Sequence, residues 1–168
     1  MSDATSPTPP TQPGEQPQAP ALQTMAQYLK DFSFESPTAL ESLSQPQNNS
    51  NINVTVTVDT KFVKDNAHEV TLSMRVHATA GEKTLFMAEA SYCGLFALVS
   101  IPKENQDVVL RIHCPTLLFP FLRQILAEAV RNGGFPPLYL NMVDFAAIYQ
   151  QQTQGGNAAA SGNATATS

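Results

Sequence analysis

The chain has 168 residues, enough for one ordinary domain, and nine Lys and Arg against 14 Asp and Glu give a formal net charge of −5. An acidic chain with scattered basic residues releases few counterions from a polyanion, which argues against nucleic acid as a partner. The longest apolar run, Leu95–Val99, is far short of a membrane span, and no basic-then-apolar segment opens the chain as a secretory signal would. The expected location is therefore cytoplasmic, with Cys93 and Cys114 as reduced thiols and no direct membrane insertion.

Six of the 13 prolines precede residue 21, and residues 1–23 carry only Asp3 and Glu15 as charged side chains. Residues 153–168 carry no charge and nothing larger than Gln. Neither segment can bury enough apolar surface to offset its chain entropy, so both are expected to be disordered tails around a folded domain at 24–152.

Within that domain Gln27–Glu35 alternates imperfectly. Tyr28, Phe32 and Phe34 share one face with Lys30 as the exception, and Asp31, Ser33 and Glu35 share the other with Leu29. Residues 36–50 carry the Pro, Ser and Asn of a loop, although Leu40 and Leu43 need apolar cover. Asn51–Val58 and Glu69–Ala80 alternate without error, as expected of antiparallel strands wet on one face. Thr84–Val99 predicts a fourth strand, with Phe86, Ala88, Ala90 and Tyr92 on one face and Leu85, Met87, Glu89 and Ser91 on the other. Beyond Pro102 the period changes, and Leu118, Phe121, Leu122, Ile125, Leu126 and Ala129 form a helical stripe. Pro120 predicts that this helix starts late or kinks. Asn132-Gly133-Gly134 predicts its stop, and Asn141 with Asp144 predicts the start of a last helix through about Gln152. The expected fold is α+β: a four-stranded antiparallel sheet with a long kinked helix and a shorter C-terminal helix packed on one face.

Chemistry-bearing patterns are sparse. His113 adjoins Cys114, but neighbouring side chains diverge, and no other Cys or His stands at metal-ligand spacing. Cys93 paired in space with a distant His would make a nucleophile and base, a possibility open to any chain holding both. The sequence has no phosphate-binding glycine loop, and Gly133-Gly134 follows a helix instead of opening one. Asp31 and Glu35 share a strand face about 13 Å apart, too far for acid–base partnership. No catalytic residue, cofactor or metal site is expected, and the chain is not read as an enzyme. What stands out is aromatic: nine Phe and four Tyr, more apolar surface than four strands and two helices need.

Several segments resemble the protein-export chaperone SecB family. They are Tyr28-Leu29-Lys30-Asp31-Phe32-Ser33-Phe34-Glu35-Ser36-Pro37, Ala90–Phe96, Cys114–Phe121, Arg131–Leu138, and Asp144-Phe145 with Tyr149. The resemblance covers about 24–152 in the expected order and spacing. It implies an ATP-independent chaperone that assembles as a homotetramer, a dimer of dimers. Such a chaperone binds unfolded precursor proteins, keeps them translocation-competent and delivers them to the ATPase SecA. The matched positions imply SecA docking by Asp31, Glu35, Met87 and Glu89, and subunit association through Phe86, Ala88, Ala90 and Tyr92. They imply a client groove involving Leu40, Leu43, Phe145, Ile148 and Tyr149. The loop after the first strand lacks the tryptophan found in many relatives, and the C-terminal tail is neutral. Two other readings are a hot-dog-type acyl-thioester hydrolase, whose long helix would normally lie between early strands, and a SecB-like chaperone dedicated to a toxin–antitoxin client.

Overall fold

The computed structural model describes residues 19–44 and 50–154. Strands β1 (Ala21–Glu35), β2 (Ser50–Lys64), β3 (Ala67–Ala80) and β4 (Lys83–Val99) form one antiparallel sheet in the order β1-β4-β3-β2. A short helix α1 (Ala39–Ser44) follows β1. Asp65 and Asn66, both at positive φ, close the β2–β3 hairpin, and Gly81 at φ 61° turns β3 into β4.

The strict alternation of β2 and β3 does what it predicts. Val54, Val56 and Val58 with Val70, Leu72, Met74 and Val76 are buried on one face, and Thr, Asn and Arg occupy the other. That apolar face is covered by one continuous helical run. It comprises α2 (Lys103–Val108), a π turn (Val109–His113) and α3 (Cys114–Asn132). Of the two expectations for Pro120, a late start or a kink, the late start does not hold: the helical run begins at Lys103, twelve residues before Pro115. The π turn lies directly before Pro115, so the ladder is already widened where a proline N–H is missing, and the Thr116 hydroxyl donates to the Ile112 carbonyl at 2.6 Å. Pro120 sits inside α3 on its exposed side, where water can reach the carbonyl it leaves unpaired. The buried stripe is Leu118, Leu122, Leu126 and Val130 with Phe119, rotated from the expected one: Phe121 is exposed at the flank and stacks on Tyr92 at 5.7 Å.

Helix α3 ends as Asn132-Gly133-Gly134 predicts. Gly134 adopts φ 86°, and the N–H groups of Gly134 and Phe135 return to the carbonyls of Arg131 and Val130. The last helix, α4 (Phe145–Gln154), is capped by Asp144 itself, whose carboxylate accepts from the Ala147 N–H at 3.0 Å; the start therefore falls after Asp144 and not at Asn141.

Two further boundaries differ. β1 opens at Ala21, inside the segment expected to be a tail, because Ala21, Leu22 and Gln23 pair with Val99, Leu98 and Ala97. The loop after β1 contains α1, where the Thr38 carbonyl accepts from the Ser42 N–H and the Thr38 hydroxyl donates to the Thr84 carbonyl. The rest of both expected tails, 1–18 and 155–168, lies outside the described residues.

Candidate functional site

The sheet has one covered face and one open face, and β1 decides what stands on each. A register shift between Leu29 and Asp31 absorbs Lys30. The sequence exception at Lys30 is thus a bulge, and it exchanges two neighbours: Leu29 pairs with Tyr92 and joins Phe32 and Phe34 on the helix side, while Tyr28 pairs with Cys93 and joins Asp31, Ser33 and Glu35 on the open side. The expected grouping of Tyr28 with the two phenylalanines is corrected by that one residue.

On the open face three cross-strand rows run from β1 through β4 to β3. They are Asp31–Ser91–Ser73, Ser33–Glu89–Arg75 and Glu35–Met87–His77. Asp31, Glu35, Met87 and Glu89, from two separate sequence segments, therefore fall on one patch. Strands 4.8 Å apart and about 13 Å between Asp31 and Glu35 give it the footprint of a few side chains. Arg75 lies against Glu89 at 2.8 Å, and Met87 is 38% exposed between the carboxylates. A second cluster stands farther along the same face. Lys30 Nζ contacts Glu69 at 2.7 Å, and the Tyr28 hydroxyl donates to the same carboxylate. These hydrogen bonds, from Lys30 and then Tyr28, hold the Glu69 carboxyl below its ordinary value; the bond to Glu69 pushes the Tyr28 phenol up to about 12.

Phe86, Ala88, Ala90 and Tyr92 lie on the helix side. Phe86, Ala88 and Ala90 are buried by the chain's own α3 and its following loop, and Phe86 packs on Phe34 and Phe135 at ring distances of 5.9 and 4.9 Å. The close approach that the small alanines permit is made by this helix.

The five groove candidates are not brought together within one chain. Leu40 and Leu43 are exposed on α1, with Leu43 against Gly134 at the C-terminal end of α3. Phe145 and Ile148 are buried on the underside of α4, Phe145 edge-on to Phe119 at 6.1 Å. From Phe119 α3 runs on through residues 120–132 to its end beside Gly134, a rise of about 20 Å. Tyr149 is half-buried, and its hydroxyl donates to Asp107 at 2.9 Å.

The sequence reading missed a different recess. Phe32, Phe34, Ile125, Glu128, Ala129, Asn132 and Gly133 line a groove of about 550 Å³ between the end of β1 and the second half of α3. Gly133 is required there, because a Cβ would stand 2.3 Å from the Phe34 ring. The signal was the half-buried edge of the helical stripe, Ile125 and Ala129, on the same side as the exposed aromatic of β1.

The thiols are poor nucleophiles by placement. Cys93 Sγ lies 3.1 Å from the Thr71 hydroxyl and is fully buried. Burial pushes the Cys114 thiol up to about 12. Among the described residues no group of three or more His, Cys, Asp or Glu is placed to hold a metal ion.

The family model described as preprotein translocase subunit SecB matches residues 15–155, the whole of the sheet and helices just described. The chain belongs to the SecB family. It is 49% identical over 134 residues to a protein-export protein SecB from Methylocella silvestris, covering 80% of this chain and 83% of that one. It is 46% identical over 142 residues to one from Rhodopseudomonas palustris, covering 84% and 90%. A solved Mycobacterium tuberculosis SecB-like chaperone, in complex with a ChAD peptide from the HigA1 antitoxin, shares the fold with a TM-score of 0.59 at 14% identity, covering 73% of this chain and 90% of that one. Among the described residues no helix is long and apolar enough to cross a membrane.

Proposed function

We propose that this chain is an ATP-independent export chaperone that binds non-native precursor proteins in the cytoplasm, keeps them unfolded and hands them to SecA. The observation that carries the reading is the segregation of its surface. Carboxylates from β1 and β4 stand together on an open sheet face, whereas the exposed apolar side chains Phe32, Leu117 and Phe121 stand on the helix side. An apolar surface gaining about 25 cal/mol per Å² captures whatever unfolded chains expose and ignores folded ones, without reading sequence. An acidic patch steers a basic partner to the opposite face.

Asp31, Glu35, Met87 and Glu89 are assigned to SecA docking. Phe86, Ala88, Ala90 and Tyr92 are assigned to subunit association through α3, whose height on the sheet they set. The working particle is a homotetramer, a dimer of dimers, for which Met25 and Leu29 on the edge strand β1 supply apolar surface that one chain leaves uncovered. Leu40 and Leu43 from one end, and Phe145, Ile148 and Tyr149 from the other, are assigned to client contact. The general export reading is preferred to a dedicated toxin–antitoxin client because the relatives near 49% identity are export proteins. It is preferred to the acyl-thioester hydrolase because the long helix follows all four strands.

Calorimetric titration of Glu89→Lys with SecA and, separately, with an unfolded precursor tests the assignment. SecA affinity is expected to fall at least tenfold while client affinity is unchanged. Equal loss of both would remove the two-surface account.

A further inference from the structure

The open sheet face offers a docking partner very little apolar surface. Its three cross-strand rows continue one strand farther, because Ser73, Arg75 and His77 pair with Thr57, Thr55 and Asn53 of β2. In these three rows of four, Met87 alone is apolar. It pairs with Glu35 on one side and His77 on the other, and Glu89 stands two residues along the same strand face. At 38% exposure its side chain is open to water. A partner settling on this face therefore has one apolar anchor, and central anchors of that kind carry a large share of binding energy.

That anchor is a thioether, which can be oxidised. Of the described methionines, Met74 is 1% exposed in the core, whereas Met25, Met87 and Met142 are open to solvent. Met25 sits at the first register shift of β1 and Met142 in the segment before α4, both outside the rows. The exposed apolar side chains on the helix side, Phe32, Leu117 and Phe121, contain no sulfur. Both thiols are buried, so a mild oxidant meets methionine first. The carboxylates of Glu35 and Glu89 repel anionic oxidants and leave a neutral hydroperoxide unhindered.

We propose that Met87 is an oxidation site at which a neutral hydroperoxide switches the docking face off while apolar capture continues. This rests on the docking role proposed for Met87 and deepens it. A sulfur lone pair attacks one peroxide oxygen; the O–O bond breaks and an S–O bond forms. With hydrogen peroxide the proton on the transferred oxygen passes to the departing hydroxide, which leaves as water. The sulfur loses two electrons and the peroxide gains them. The sulfoxide replaces the one apolar contact of the rows with a polar group that must be desolvated on docking. A sulfoxide reductase supplied with thiols reverses the step: two thiols become a disulfide, and the oxygen leaves as water. Clients would then be held but not handed on until the thioether returns.

The test treats the full chain with hydrogen peroxide and maps each methionine by mass spectrometry of its peptides. Met87 is expected to gain one oxygen and Met74 none. Calorimetry is expected to show SecA affinity falling about tenfold, with affinity for an unfolded precursor held within twofold. Methionine sulfoxide reductases with dithiothreitol should restore SecA binding. Met87→Leu, compared only with itself before and after peroxide, should lose no SecA affinity on treatment, which separates Met87 from Met25 and Met142. The proposal is overturned if Met87 stays unoxidised while Met25 and Met142 convert, or if the oxidised chain binds SecA as before. It is overturned equally if peroxide weakens Met87→Leu as much as the unsubstituted chain, or if client affinity falls as far as SecA affinity. Failure of the untreated chain to bind SecA at all is a different result; it removes the docking reading itself, and the switch with it.

Discussion

Arg75 provides the sharpest test of the proposed acidic docking face, because it should oppose docking although it stands in the middle of the patch. Its guanidinium contacts Glu89 at 2.8 Å, with the two side chains 65% and 37% exposed. Arg75→Gln removes the only cation in the three rows that hold Asp31, Glu35 and Glu89. The effect on folding is small: an exposed pair of this kind contributes about 0.2–1 kcal/mol, so the melting temperature should drop by roughly 1–4 °C. The effect on docking has the opposite sign. Glu89 is released from its internal partner, and the patch changes from three carboxylates against one guanidinium to three carboxylates alone. Against a basic surface of SecA this should raise affinity roughly two- to fivefold at low salt, on the order of 0.4–1 kcal/mol, and the gain should vanish near 1 M salt, where the Debye length is about 3 Å. Titration at both salt concentrations, with Glu89→Gln as the weakening control, provides the comparison. If Arg75→Gln weakened SecA binding as Glu89→Gln does, the patch would be acting as a preformed ion pair and the reasoning from net charge would fail.

Three further outcomes follow from the packing and the titrating groups. Gly94→Ala places a Cβ 2.4 Å from the Phe96 ring and 3.0 Å from Leu118, so it should cost about 1–3 kcal/mol in urea unfolding; an unchanged midpoint would show that the α3–sheet gap is looser than described. The lowered Glu69 carboxyl contributes stability that is complete above the ordinary value of 4.5 and lost as pH falls through the lower folded value. Melting curves of Glu69→Gln and the unsubstituted chain should therefore differ at pH 7 and draw together as pH falls below 4.5, whereas a gap that did not narrow on acidification would contradict the Lys30–Tyr28–Glu69 cluster. Cys114, buried and with its thiol pushed up to about 12, should resist iodoacetamide at pH 8 until denaturant is added; fast labelling of the native chain would place it elsewhere.

How much of this was legible in the sequence depended on whether one period dominated. Asn51–Val58 and Glu69–Ala80 each bury one face against α3 and wet the other, so alternation alone assigned every side chain. β1 is an edge strand with a bulge, and one extra residue at Lys30 changed which side Tyr28 and Leu29 take; the irregular pattern was visible, but its cause was not. Reading Pro115 as an early helical position hid the turns before it: the run begins at Lys103, and the π turn ahead of Pro115 is what lets a proline stand twelve residues into it. α1 was missed because six residues carry no readable period, and its cap acts through the distant Thr84 carbonyl. The acidic patch was half legible: each strand showed its own acids on one face, but only the β1–β4 register placed the two faces together. The groove candidates were least legible, since periodicity marks Phe145 and Ile148 as apolar without saying whether they face a client or the chain's own core.

The measurement closest to the central claim is light scattering of a chemically unfolded precursor diluted into buffer with and without this chain, in the absence of nucleotide. The account predicts that aggregation is suppressed in proportion to added chain, and that suppression survives Glu89→Lys, whose change lies on the face away from the apolar surface. Aggregation that proceeds unaltered at several-fold molar excess would contradict it.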